Sequence, residues 1–459
     1  MGHVRRHTAL ARRLAAIVGG QHVLADADVR APFERDWTGL HGGPASLVVR
    51  PADAGEVAAV VAECAQAGIG IVPQGGNTGL VGGGVPRRGE VVVSLVRLNT
   101  LSDVDCAAGD VEVGAGVPLA ALQRHARAAG MDAAVDFGAR DSATAGGLVA
   151  TDAGGIRALR YGTVGARVTG VEAVMADGAV VDRCAGLLKD NAGYDLTALL
   201  VGSEGTLGIV TRVRWRLAPL LTARVAALAP VGSVADAVAL LATVRPLLPS
   251  LEAADFFADD ALSYVLRHLG VAPPLEPRAR VYVLLECAAH SDPTDELAGA
   301  LVEAGVEDAV LADDTAGRAR LWRLREAIPE AIAAGRPHAL DVGLPVARVA
   351  EFAERVPGVA EHAQPGATTI LFGHLGDGNL HVNVLGLPAH DDSVDEAVLR
   401  LAAECGGTIS AEHGVGVAKA RWLGLVRGDA ELRAMRSIKS ALDPAGILNP
   451  GVVLPSPDH

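Results

Sequence analysis

The chain has 459 residues, half of them hydrophobic, enough for two or three domains with full cores. Its formal net charge is −14, and no Lys/Arg-rich run exceeds the short VRRHTALARR near the start, which argues against nucleic acid or an anionic membrane surface as partner. Cys64, Cys106, Cys184, Cys287 and Cys405 form no CxxC pair, so a disulfide framework and a cysteine zinc site are not indicated, and a cytoplasmic location is expected.

The first stretch, MGHVRRHTALARRLAAIVGG, is basic enough to pass for an organelle transit peptide, but its leucines and alanines suit an ordinary helix that stops at Gly19-Gly20. From about residue 45 to 215, short β-branched runs alternate with helices and Gly-rich connections. EVAAVVAECAQAG predicts an amphipathic helix ended by Gly68, and IGIVP the buried strand after it. Gln74 to Pro86, QGGNTGLVGGGVP, is too rich in glycine for a helix and too long for a simple hairpin. It reads either as a flexible surface loop or as a phosphate cradle, in which backbone N–H groups converge on an anion and Asn77 and Thr78 add donors. Neither G-x-G-x-x-G nor the Walker pattern is present, so a nicotinamide dinucleotide or a nucleoside triphosphate is not indicated. Two further blocks, FGARDSATAGGLVATDAGGIRALRYGTVG and GSEGTLG, give three in one region, enough to line a groove for an extended, phosphate-bearing cofactor.

Beyond residue 217 the runs RVAALAP, RVYVLLECA, HALDVGLPV and TTILFGH alternate with helices such as VADAVALLATVRPLL. The pattern predicts an α+β arrangement: an antiparallel sheet with helices on one face. No apolar run reaches the roughly eighteen residues of a membrane span. In FGHLGDGNLHVNV, the Gly-Asp-Gly-Asn is hairpin chemistry. His374 and His381 are then expected to face each other across two strands, with Asn383 on the same face as His381. A lone histidine at a strand end is usually structural. With Glu412 of the downstream AEHG added, two imidazoles and a carboxylate make a ligand set for zinc, iron or manganese with one position open.

PQGGNTGLVGG, GGLVATDAGGIRALRYGTVGARVTGVEAVMADG, NAGYDLTALLVGSEGTLGIVT, GHLGDGNLH, SAEHGVG and DPAGILNPG together resemble the FAD-linked D-2-hydroxy acid dehydrogenases, within the flavoprotein superfamily named after vanillyl-alcohol oxidase. The likeness runs from about residue 20 to 455, and SAEHG with an Asn two residues after the second His is most similar to the D-2-hydroxyglutarate dehydrogenases. It implies an FAD domain over 1–216, an antiparallel-sheet substrate cap over 217–404, and a helical C-terminal segment, 405–459, returning to the flavin. By the same resemblance, Pro73 and the loop Gly75, Gly76, Asn77, Thr78, Gly79 and Leu80 wrap the FAD pyrophosphate. Gly138, Ala139, Ser142, Gly146, Gly147, Ala150, Thr151, Gly154 and Gly155 follow the flavin and its ribityl chain. Ile209 contacts the cofactor through its backbone, and Asn449 returns to the flavin. Asp141, Leu148 and Asp152 depart from the family's usual Gly, Asn and Asn. No histidine lies in these blocks, so FAD is expected to be held without a covalent bond.

The resemblance further implies that His374, His381 and Glu412 hold a divalent metal, with Zn2+ expected, and that Arg325 clamps the substrate carboxylate, as a planar guanidinium does bidentately. The plainer reading of LWRLREAIPEAI is a solvated helix face on which Arg325 pairs with Glu326 or Glu330. His413 diverges from Glu412 in an extended segment and reads as the general base for the substrate hydroxyl, with a loop histidine as the alternative. Asn383 joins the substrate contacts. The electron acceptor is left open among an electron-transfer flavoprotein, a quinone and a soluble dye-like carrier, and a homodimer is left open too. The lysine and threonine that D-2-hydroxyglutarate dehydrogenases usually carry are replaced here by Ala339 and Pro329. Two rival classes stand beside this reading: a metal-dependent hydrolase without flavin, and a non-catalytic flavin-binding subunit.

Overall fold

The Asp53 carboxylate accepts a hydrogen bond from the Glu56 N–H at 2.9 Å, while Glu56 reaches back to the Ala52 N–H at 2.7 Å, and this local exchange starts the helix Ala54–Ala67. Val57, Val60, Val61 and Cys64 fall on one face and are buried, and Gly68, at φ 63°, ends the helix in the left-handed region, as the sequence predicts. The structure is a computed structural model that describes residues 2–187, 189–388 and 391–455. By contacts the chain forms two units: the first comprises 1–154, 163–220 and 412–459, the second 155–162 and 221–411.

In the first unit, β1 (Val23–Leu24), β2 (Leu47–Val49), β3 (Ile71–Gln74) and β4 (Val91–Ser94) form a sheet in the order β1-β2-β4-β3, with β2, β4 and β3 parallel. Helices Gly2–Val18 and Ala54–Ala67 cover it, and Leu10, Leu14, Val57, Val61, Val91 and Ile209 share its core. A second sheet has the order β5-β9-β7-β8 and is antiparallel. Its strands are β5 (Asp110–Gly114), β7 (Val168–Val174), β8 (Val180–Asp182) and β9 (Ile209–Arg216). A short pair, β6 (Met131–Asp132) with β10 (Ala218–Pro219), lies beside Trp215, whose ring is fully buried and whose Nε1 donates to the Ala133 carbonyl at 2.9 Å. The C-terminal segment closes this unit. Leu448 pairs with Ile71 on β3, and the Asp443 carboxylate accepts from the N–H groups of Ile447 (3.0 Å) and Leu448 (2.8 Å).

The second unit is built on seven antiparallel strands: β11 (Ala223–Val231), β12 (Leu251–Ala258), β13 (Val281–Ala289), β14 (Val310–Ala312), β15 (His338–Gly343), β16 (Thr368–His374) and β17 (Asn379–Leu385). Their order is β14-β11-β13-β12-β16-β17-β15. Phe257, Tyr282, Leu284, Ile370 and Phe372 point to one face and pack with Leu262, Val265, Leu321, Trp322 and Ile328 from helices Asp259–Leu269, Thr315–Glu326 and Ile328–Ile332. The alternate residues, among them Phe256, Val283 and Leu285, are buried as well. Helices Val234–Val244 and Val349–Ala363 pack on the sheet too, so the expected helical layer is joined by one on the other face. Strands buried at consecutive positions, such as VYVLLECA, require cover on both sides.

Candidate active site

In the first unit the glycine-rich blocks pack backbone against backbone. A Cβ on Gly75 would lie 2.2 Å from Thr144 Oγ1 and one on Gly76 1.8 Å from the Ser142 carbonyl, so neither position admits a side chain. Gly79 and Gly138 instead have open space where a Cβ would stand. Thr144 Oγ1 and Ser203 Oγ are buried with no hydrogen-bond partner, and such groups ask for a polar ligand. Glycine backbone open on one side, next to orphaned hydroxyls, fits an extended cofactor such as FAD. Asn77, expected as a donor to phosphate, uses its amide Nδ2 on another segment: it donates to the carbonyls of Arg35 (2.7 Å) and Pro32 (3.3 Å), and its backbone is left-handed, φ 53°.

The departures from the family pattern have structural reasons. Leu148 belongs to the hydrophobic core, and Asp152 is the left-handed cap of helix Ala145–Thr151, where its carboxylate accepts from the Gly165 N–H at 2.7 Å. Ile209 opens β9 and is fully buried. Asn449 Nδ2 donates to the carbonyls of Gly83 (2.8 Å) and Glu204 (2.7 Å), tying the C-terminal segment to two of the glycine-rich blocks.

Glu204, which sequence reasoning passed over, sits at φ 51° within GSEGTLG. Its carboxylate accepts from the N–H groups of Val415 (2.7 Å) and Gly416 (2.8 Å), just after Glu412 and His413. Burial pushes the Glu204 carboxyl above its ordinary range, against the downward pull of these two N–H groups. Glu412 lies against the second glycine-rich block, where a Cβ on Gly154 would stand 2.9 Å from its Oε2. His413 Nε2 lies 3.9 Å from Glu412 Oε1. Gly155, grouped with these blocks in the sequence, falls in the second unit, where Tyr161 donates to Glu252 Oε1 at 2.6 Å and Arg160 donates to the carbonyls of Ser250 (3.1 Å) and Ala288 (2.9 Å).

In the second unit the register differs from the expected one. His374 stands opposite Asn379, and His381 opposite Phe372. The turn runs from Leu375 to Gly378, because Leu375 is fully buried within it and Asn379 joins β17, its amide donating to Asp341 Oδ1 (2.5 Å) and the Val342 carbonyl (3.2 Å). The shift is an even number of residues, so the faces are kept. The two imidazoles are diagonal neighbours with ring centroids 5.4 Å apart, and Asn383 follows on the same face, opposite Ile370 and Ala339.

Each imidazole meets an aspartate on the next strand outward. Asp255 on β12 is opposite His374 and bonded to its Nδ1 at 2.8 Å, and Asp341 on β15 is opposite His381, 4.0 Å from its Nδ1. Asp341 Oδ2 also accepts from the Ala411 N–H at 3.0 Å, one residue before Glu412. Arg325, expected on helix Thr315–Glu326, is only 6% exposed, so it is no solvated residue. Its Nε lies 2.9 Å from Asp255 Oδ2 and its guanidinium stacks over Phe372, 4.5 Å from the ring centroid. Glu330 pairs instead with Arg323, at 3.6 Å. Asp255 and Asp341 were not legible as site residues, because their partners come from other strands.

Residues 45–183 match the family described as FAD binding domain, and residues 220–453 that described as FAD linked oxidases, C-terminal domain. The chain belongs to the FAD-linked oxidases. This FAD-linked oxidoreductase is 37% identical over 439 residues to a D-2-hydroxyglutarate dehydrogenase of Xanthomonas citri pv. viticola, covering 93% of each chain. It is 36% identical over 451 residues to a mitochondrial D-2-hydroxyglutarate dehydrogenase of Arabidopsis thaliana, covering 96% of this chain and 80% of that one. Its fold matches a solved p-cresol methylhydroxylase with a TM-score of 0.79 at 16% identity, over 99% of this chain and 98% of that chain.

The expected cytoplasmic location does not stand. The Arabidopsis relative and several others from plants and animals are named mitochondrial. Unpaired cysteines select a reducing compartment and do not tell one such compartment from another. Among the described residues no helix is long and apolar enough to cross a membrane.

Proposed function

We propose that this oxidoreductase converts D-2-hydroxyglutarate to 2-oxoglutarate and passes the electrons to an external acceptor, an electron-transfer flavoprotein or a quinone. The observation that carries the reading is a polar row on the sheet: His374, His381 and Asn383 on one face, with a buried arginine beside them. Asp255 meets the arginine at Nε, and a 2-hydroxy acid brings a second carboxylate, one bond from the carbon to be oxidised, that a guanidinium can take through its terminal nitrogens. The names of the relatives from Xanthomonas and Arabidopsis supply the five-carbon dicarboxylate.

FAD, when bound, supplies the acceptor for the hydride leaving C2, and a divalent metal such as Zn2+, held by His374, His381 and Glu412, supplies Lewis acidity toward the C2 hydroxyl. Two imidazoles and a carboxylate are the donor types such an ion takes, and, among the described residues, Asp341, His381, Glu412 and His413 are the group whose ligand atoms lie within 4.8 Å of one another. His374 donates through Nδ1–H to Asp255, the tautomer in which Nε2 is the basic nitrogen. Arg325, whose Nε lies 2.9 Å from Asp255 Oδ2, binds the substrate carboxylate through its terminal nitrogens. Asn383 adds an amide donor, and His413 accepts the hydroxyl proton.

The distal carboxylate is the open part of the assignment. Ala339 faces Asn383 where the resemblance leads one to look for a lysine, and His338, on the opposite face, is committed to Asp395 at 2.9 Å. Arg323 and Arg336 are the remaining cations. Anaerobic mixing with D-2-hydroxyglutarate and with D-2-hydroxyvalerate, reading flavin bleaching, tests the reading. Bleaching by the dicarboxylate with the higher specificity constant is expected. A preference of tenfold or more for the uncharged tail, about 1.4 kcal/mol at the transition state, removes the dicarboxylate, and no bleaching by any D-2-hydroxy acid removes the whole assignment.

A further inference from the structure

Asp255 is 1% exposed, and burying a carboxylate costs several kcal/mol unless its charge is used. Its two oxygens go in different directions. Oδ1 is 2.8 Å from His374 Nδ1 and Oδ2 is 2.9 Å from Arg325 Nε. The first contact selects the imidazole tautomer protonated at Nδ1 and raises the basicity of Nε2 as a ligand. The second sets the carboxylate charge against the Nε of the guanidinium that stacks on Phe372, an ion pair whose two atoms are not in hydrogen-bond alignment. A 2-hydroxy acid carries its carboxylate and hydroxyl on adjacent carbons, so the group that binds one and the group that orients the other must keep a fixed spacing. We propose that Asp255 is a positioning residue that sets this spacing, serving the metal ligand His374 and the carboxylate clamp Arg325 at once. The inference rests on the proposed metal and substrate roles of those two residues. Asp341 does not duplicate it, because its carboxylate is spent on Asn379 and on the Ala411 N–H.

The test uses the FAD-replete protein. Asp255→Asn keeps the shape and removes the charge. Zn2+ affinity, measured by competition with a chromophoric chelator, is expected to fall by roughly ten- to a hundredfold, and the substrate concentration for half-maximal flavin reduction to rise by about tenfold or more, with flavin absorbance unchanged. Asp255→Glu, which keeps the charge, should recover part of both. Should Asp255→Asn fail to fold with Arg325 stranded beside it, Asp255→Asn/Arg325→Gln removes both charges and is compared with Arg325→Gln alone. The His374 arm then still predicts a loss of Zn2+ affinity of about tenfold. Values within about threefold of the parent on both readouts, or a change in only one, overturn the double role. A parent protein that neither binds Zn2+ nor is reduced by any hydroxy acid overturns the proposed function instead.

Discussion

Replacing Arg325 by methionine tests whether the buried ion pair is what the second unit relies on there. Methionine keeps much of the apolar stem and still contacts the Phe372 ring, so the packing loss is small. The charge loss is not, because Asp255, 1% exposed, is left without the guanidinium 2.9 Å away. Breaking a buried pair from one side costs about 3–5 kcal/mol. For a unit of roughly 200 residues, each kcal/mol lowers the midpoint by about 2–4 °C, so a drop on the order of 6–20 °C is expected. Scanning calorimetry of the FAD-replete protein measures it, with flavin fluorescence following the first unit separately. Adding Asp255→Asn should return most of the loss, since a neutral amide costs far less to bury. A midpoint within about 2 °C of the parent, or no recovery in the double variant, refutes the reasoning, because Asp255 would then not carry an uncompensated charge.

Three other outcomes follow from the same geometry. Chelation, or His374→Ala, should abolish turnover while the protein stays yellow; full activity in a sample shown to be metal-free would end the metal assignment. His413→Asn should slow anaerobic flavin reduction by roughly two to four orders of magnitude without changing metal content, and a drop under about tenfold would return His413 to a structural role. The hydrogen bond that His338 donates to the Asp395 carboxylate raises the His338 pKa against the opposing effect of burial, so the stabilisation is complete below the ordinary histidine value and fades as pH rises through the raised one. Unfolding free energies of parent and His338→Gln from urea titrations should therefore differ by at most about 1 kcal/mol near pH 5.5, solvent screening of this partly exposed pair included, and converge in the alkaline range; a gap that widens with pH would contradict the pairing.

Much of this was legible in the sequence where the signal is local. Gly68 ends its helix, RVAALAP and RVYVLLECA are strands, and the glycine blocks are glycine because the backbones of Gly75 and Gly76 touch Ser142 and Thr144. What stayed hidden depends on pairing at long range. Asp255 lies in LEAADFFA, an apolar run with nothing to mark its carboxylate, and its partner His374 is 119 residues away. The hairpin register slipped because Gly-Asp-Gly-Asn looks like the turn, whereas a buried Leu375 takes its first place and Asn379 enters the strand. Glu204 reads as one polar residue in a loop; only the fold brings the N–H groups of Val415 and Gly416 to it.

The pairing of Leu448 with β3 has a consequence for how the protein is made. β3 ends its sheet, and its outer backbone groups are met by Ile447 and Asn449, with Ile71 donating to the Ile447 carbonyl at 2.7 Å and the Asn449 N–H to the Ile71 carbonyl at 2.8 Å. On the ribosome those residues emerge roughly 230 positions after Leu220, the last of the earlier segments of the same unit, a wait of about 10–50 s at ordinary synthesis rates. Throughout that interval the nascent chain carries an open strand edge of the kind that recruits foreign strands. Truncation before Ile447 is therefore expected to favour aggregation even though every glycine-rich block is intact, and light scattering of the truncated protein checks it.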